Sequence, residues 1–228
     1  MAPQPLHVHP TAPLAPRALL PGDPGRALQL AQELTDQPKM FNHNRGLWGY
    51  TGVAADGEPL TIMSHGMGGP SAAIVLEELC DLGVEAVVRI GTCGPLSPDV
   101  SLGDLIAADG VLVADGTSRA LGADGVLRPD PGLLAVLAQH ADVTGLIVSS
   151  DLFYDPDAGR PDAWRAAGAL AVEMEAATIL AVASRRGIRA ACLLAVSDSI
   201  AGGGERIGGE ALESVASRLG RAGLAALS

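Results

Sequence analysis

An arginine stands where a buried strand should carry none. In "VVRIGTCG", residues 87–94, Arg89 lies within the apolar run Val84, Ala86, Val87, Val88 and Ile90, just before a Gly-Thr-Cys-Gly turn. An unpaired guanidinium there would cost several kcal/mol, so a carboxylate of the protein or an anion from solution must meet it. Two carboxylates, Glu173 and Glu175, sit in "AVEMEAATILAVA" (171–183), read as the head of an apolar helix. Negative charge at a helix N-terminus is stabilising by about a few tenths of a kcal/mol. The surrounding Ala, Val, Met, Ile and Leu nonetheless imply that at least one carboxylate is sequestered and needs donors, which ligand hydroxyls would supply. Asp198 ends the apolar strand "RAACLLAVSD", where a carboxyl group can serve as a proton donor or as a helix cap. "LPGDPGR" (20–26) is either a tight turn or an anion loop, in which backbone N–H groups at a helix N-terminus act with Arg26. These residues describe anion binding, recognition of hydroxyls and proton transfer.

Bulk properties narrow the partners. A 228-residue chain of 23.0 kDa, 48% hydrophobic and 18% charged, suits one well-buried domain. Net charge −11 and a pI near 4.7 exclude a general nucleic-acid or anionic-membrane binder, which needs a basic face, while leaving room for a local basic pocket. Cys80, Cys93 and Cys192 are few, scattered and apolar in context, which reads as a reduced, cytoplasmic protein without a cysteine metal site. The proline-rich start lacks the apolar core of a signal peptide, and no segment reaches the ~18 apolar residues of a membrane span.

The elements that must position these residues alternate between two periods. Apolar runs at 17–20, 59–66, 84–91, 104–116, 144–150, 169–175 and 189–198 read as strands. Between them, Asp23 N-caps a helix opened by Pro24, and Pro70 opens another that ends at Gly83. In the second, Val75, Leu79 and Leu82 form an apolar stripe from which Glu77, Glu78 and Asp81 face away. Further helices are expected at 131–140, 174–186 and 209–227, and Gly202–Gly204 mark a loop. The alternation predicts a single α/β domain over residues 1–228, with a largely parallel or mixed central β-sheet covered by helices on both faces. Sites in such sheets collect at the carboxyl ends of strands, and the polar residues above fall there.

Other motifs carry less. "HGMGGPS" (65–71) departs from the dinucleotide fingerprint, because Pro70 replaces an ordinary residue and Ser71 the last glycine; close strand-to-helix packing accounts for most of it. His7 and His9 have no evident third ligand, so no metal site is expected. Neither a GxxxxGK[ST] loop nor a GxSxG elbow occurs.

Seven segments in order, "LPGDPGRA" (20–27), "NRGLWGYTG" (44–52), "SHGMGGPS" (64–71), "RIGTCG" (89–94), "SSDLFY" (149–154), "VEMEAA" (172–177) and "VSDS" (196–199), resemble the nucleoside phosphorylase family of bacterial hexameric purine nucleoside and uridine phosphorylases. The resemblance spans the chain from about residue 5 to its end and implies that family's fold. It also implies its reaction: phosphorolysis of the N-glycosidic bond to free base and (deoxy)ribose 1-phosphate, in nucleotide salvage. Inorganic phosphate is then the co-substrate, and no other cofactor is needed. By resemblance, Gly22, Arg26, Arg89 and Thr92 hold phosphate, with Arg45 reaching in from a neighbouring subunit. Glu175 accepts from the 2'- and 3'-hydroxyls, with Met67 and Met174 on the sugar. Phe153, Val172 and Glu173 complete the nucleoside site, and His7 of the neighbour, or else His9, approaches the 5'-hydroxyl. The implied assembly is a homohexamer built as a trimer of dimers.

"SSDLFY", "VSDS" and the Phe153-to-Glu173 spacing resemble the purine branch, in which Asp198 would protonate N7 and Arg206 would assist. "GGPS" and Thr92 are closer to the uridine branch, and "DGTSRALGADG" (115–125) is unlike the hexameric purine enzymes. The alternatives are therefore a uridine phosphorylase or a methylthioadenosine-type phosphorylase or nucleosidase. A nucleosidase, which uses water, has no use for Arg26, Arg45 and Arg89 together.

Overall fold

The computed structural model describes residues 5–198 and 206–228; the glycine loop read at 202–204 lies outside them. The apolar runs become β1 (Arg17–Pro21), β4 (Pro59–Met63), β5 (Ala86–Pro95), β6 (Leu105–Ala114), β8 (Val143–Ser150), β9 (Ala171–Glu173) and β10 (Arg189–Val196). Helices α1 (Pro24–Leu34), α2 (Gly69–Asp81), α4 (Pro131–His140), α6 (Ala176–Arg186) and α7 (Gly209–Leu227) follow the expected starts and stops. At α1, Asp23 Oδ1 accepts from the Arg26 N–H at 2.7 Å, and Pro24, which has no N–H to leave unsatisfied, occupies the first turn.

The sheet is mixed, one of the two arrangements that the alternation allows. β5 pairs in parallel with β1 and β10, β10 pairs antiparallel with β6, and β6 runs parallel to β8. Short β9 joins β8 to the far end of β5, which closes β5, β10, β6, β8 and β9 into a ring. α2 and α6 pack one face around Val75, Leu79, Ile179 and Val182, while α1, α4 and α7 cover the other around Leu30, Leu137 and Leu219. No helix among the described residues is long and apolar enough to cross a membrane.

Two local expectations are corrected. Glu173 is the last residue of β9 and Glu175 the N-cap position of α6, so the two carboxylates straddle a strand-to-helix turn instead of heading one helix. Glu78 does not face away: its carboxylate accepts from the backbone N–H groups of Leu6, His7 and Val8 at 3.1, 2.9 and 2.7 Å and pins the N-terminal segment to α2. Glu77 and Asp81 do face away from the stripe, and both pair with Arg186. The hairpin of β2 (Thr35–Asn42) and β3 (Gly49–Ala54), with the short elements α3 (Gly116–Ala120), β7 (Val126–Leu127) and α5 (Arg160–Ala166), has no counterpart in the apolar pattern. β2 is a polar outer strand containing Pro38, and its pairing is broken by register shifts.

Candidate active site

The carboxyl ends of β1, β4, β5, β8, β9 and β10 converge on a cavity of about 650 Å³, within the range of small-molecule sites. Register places the parts: Leu20 and Cys192 flank Arg89, Thr92 lies beside Ala195, and Ser149 lies beside Glu173. Of the residues singled out in the sequence, Gly22, Arg26, Met67, Arg89, Thr92, Phe153, Val172, Glu173, Met174, Glu175, Asp198 and Arg206 line this one space. His7 and Arg45 do not line it, and neither does His9.

The guanidinium inside the strand is met by the chain's own carboxylates. Arg89 is 3% exposed; its Nε donates to Glu173 Oε2 at 2.9 Å, and its Nη2 lies 2.8 Å from Glu173 Oε2 and 2.6 Å from Glu175 Oε2. Burial opposes the charge, but Glu175 and Glu173 together hold Arg89 protonated, above the usual arginine range. The two carboxylates are not equivalent. Glu173 is consumed internally: it also accepts from the Ser149 hydroxyl and from the N–H groups of Glu175 and Ala176, thereby capping α6. Glu175 takes the Gly68 N–H at 2.5 Å and Arg89, and keeps acceptor capacity toward the cavity. Burial, with Glu173 alongside, raises its pKa despite the attraction of Arg89. The arginine's charge is stabilised by two partners, whereas each carboxylate has the other as a like-charged neighbour.

Arg26 presents a second guanidinium to the same wall. Burial lowers its pKa, Asp23 works against that, and Arg89 adds to it, so two positive groups face one space. Gly91 makes room for Arg89: a Cβ on it would come within 2.8 Å of Arg89 Nη2 and 2.9 Å of Cζ, so the guanidinium lies against this backbone. At the other end Arg206 Nε contacts Asp198 Oδ1 at 2.7 Å, and the two residues form an isolated antiparallel bridge.

Sequence reasoning missed His65, Ser149 and Gly91, which hold Arg89 and Glu173, and the cavity residues Leu152, Asp155, Pro161 and Trp164. Ser149 and His65 stand in quoted segments at strand ends, a signal that could have found them. Trp164 and Pro161 belong to α5, which carries no apolar period.

Outside the cavity, His7 Nδ1 lies 2.7 Å from Glu78 Oε1, which fixes the ring, while the exposed His9 donates its N–H to Asn42 at 2.8 Å. Arg45 is exposed on a single-turn 3-10 segment, Asn44–Gly46, with φ 58° and ψ 18°, a left-handed conformation uncommon for a residue with a Cβ.

The profile of the family described as "Phosphorylase superfamily" matches residues 16–228. The chain is 39% identical over 196 residues to the guanosine phosphorylase of Halorubrum lacusprofundi, an alignment covering 83% of this chain and 80% of the relative. It is 38% identical over 192 residues to the DeoD-type purine nucleoside phosphorylase of Proteus mirabilis (80% of each chain), and 34% over 202 residues to that of Clostridium novyi (84% and 86%).

Proposed function

The chain belongs to the phosphorylase superfamily, and from that premise we propose that it cleaves purine (deoxy)ribonucleosides with inorganic phosphate, releasing the free base and (deoxy)ribose 1-phosphate. The observation that carries this reading is the meeting, in one cavity, of an arginine pair, a buried acceptor carboxylate and an acid–guanidinium pair. Phosphate lies against Arg26, Arg89, Thr92 and the Gly22 loop, whose charge-assisted donors orient one oxygen toward the anomeric carbon. Glu175 accepts from the ribose hydroxyls with its remaining lone pairs. Glu173, saturated by Ser149, α6 and Arg89, positions Arg89 more than it touches the sugar. As the glycosidic bond breaks, the phosphate charge stabilises the ribosyl cation. Asp198 passes its proton to N7 of the departing purine, and Arg206, 2.7 Å away, stabilises the carboxylate left behind. Met67, Phe153, Val172 and Met174 supply the apolar walls. No metal or organic cofactor enters this chemistry, and three free cysteines support a reducing, cytoplasmic setting for nucleoside salvage.

Base release from inosine, guanosine, adenosine, methylthioadenosine and uridine, each with and without phosphate, tests the reading. Phosphate-dependent release of purine bases is expected. Release without phosphate, or uridine as the best substrate, would overturn it.

The same reading makes the active unit a dimer, assembled into a hexamer. Arg45, held in its left-handed backbone, and His7, clamped by Glu78, do not line their own cavity and would complete that of a second copy. Cavity residues Met67 and Phe153 are 87% and 60% exposed in the single chain, an apolar rim suited to cover by a partner. Mixing Arg45→Ala with Asp198→Ala subunits should restore part of the activity that each lacks alone, because a mixed dimer retains one intact site. A fully active monomer in sedimentation would contradict this.

A further inference from the structure

We propose that His65 is a positioning residue of the phosphate site: its imidazole accepts a hydrogen bond from Arg89 and so fixes which guanidinium N–H remains to meet phosphate. This rests on the reading of Arg89 as a phosphate ligand. His65 is fully buried and does not line the cavity, so it acts only through another group. Its Nε2 lies 2.9 Å from Arg89 Nη1. A guanidinium can only donate, so Nε2 is the bare nitrogen and the ring proton sits on Nδ1.

Counting donors shows what this does. Of the five N–H groups of Arg89, that of Nε goes to Glu173, those of Nη2 face Glu173 and Glu175, and one of Nη1 goes to His65. Among the described residues one Nη1 hydrogen is left without an oxygen or nitrogen partner, with the Cys192 thiol close to the guanidinium, and the imidazole sets its direction. A carboxylate in place of His65 would satisfy the same donor but add a third negative charge beside Arg89, against an incoming phosphate dianion. A neutral ring satisfies the donor and adds no charge to the two carboxylates already there. Burial, followed by the nearby charges of Arg89 and Arg26, holds the His65 pKa well below the usual histidine range, so the ring stays neutral.

The ring is built into the phosphate loop. His65 N–H donates to Pro21 O at 3.0 Å, Gly66 N–H to Gly22 O at 3.1 Å, and Ser71 Oγ to His65 O at 2.5 Å. A Cβ on Gly22 would lie 3.5 Å from His65 Cε1, so the ring packs against that loop.

The test compares His65→Leu, His65→Gln and Arg89→Lys for phosphate KM, nucleoside KM and kcat. His65→Leu should raise phosphate KM about 10-fold or more while leaving nucleoside KM within roughly twofold. His65→Gln, whose Oε1 can accept from Arg89, should recover most of the loss. Should His65→Leu not fold, His65→Phe, a ring without the acceptor, takes its place. Equal phosphate KM in the Gln and Leu variants, or a loss spread evenly over both substrates, overturns the proposal. If Arg89→Lys leaves phosphate KM unchanged, the phosphate reading of Arg89 itself fails. If that variant weakens phosphate and His65→Leu does not, only the role of His65 fails.

Discussion

Replacing Arg89 with alanine is expected to abolish phosphorolysis and to destabilise the protein in the same stroke. The side chain is the counter-ion of two carboxylates that are themselves almost fully buried, Glu173 at 4% and Glu175 at 6% exposure. Removing one member of a buried ionic group leaves the others uncompensated and typically costs about 3–5 kcal/mol. In a chain of this length that corresponds to a fall in Tm of roughly 10 °C. Phosphate binding is lost as well, so phosphate should raise the Tm of the parent protein and not that of the variant. Of the two accounts of Arg89 that the sequence left as rivals, the structure shows the internal ion pair, and the anion ligand belongs to the proposed function that this variant tests. A variant as stable as the parent would show that the Arg89–Glu173–Glu175 group does not carry this part of the fold. Protection of the variant by phosphate would show that Arg89 is not its anchor.

Asp198→Asn should retain nucleoside binding and lose roughly 10²-fold or more in turnover, the usual scale for removing a general acid. Asparagine keeps a donor toward the base but has no proton to transfer. It also ends the ionic contact with Arg206. A 7-methylated purine nucleoside already carries the positive charge that protonation would create, so its cleavage should be much less affected. Steady-state kinetics on inosine and 7-methylinosine make the comparison. Equal slowing of both would remove Asp198 from the acid role.

How much of this was legible in the sequence follows physical range. Helix starts were readable because their signals are local: Asp23 with Pro24, and Pro70 after a glycine pair. The β2–β3 hairpin was not, because its outer strand is half polar, interrupted by Pro38 and paired irregularly, so no alternation marks it. The oddity of Arg89 in a buried strand was plain, yet its carboxylate partners were not, since Glu173, 84 residues away, and Glu175 arrive through the turn between β9 and α6. The same turn explains the misreading of Glu173: a three-residue strand running into a helix gives an unbroken apolar pattern from Ala169 to Ala183. His65 was quoted but given no role, because a buried histidine acquires one only when the arginine it faces is known.

The central claim is that phosphate, not water, takes the ribosyl group. It is tested most directly by following inosine cleavage in phosphate buffer by ³¹P NMR, with hypoxanthine measured alongside. The account predicts ribose 1-phosphate formed in step with hypoxanthine and no cleavage when phosphate is left out. Hypoxanthine accompanied by free ribose, at a rate indifferent to phosphate, would contradict it.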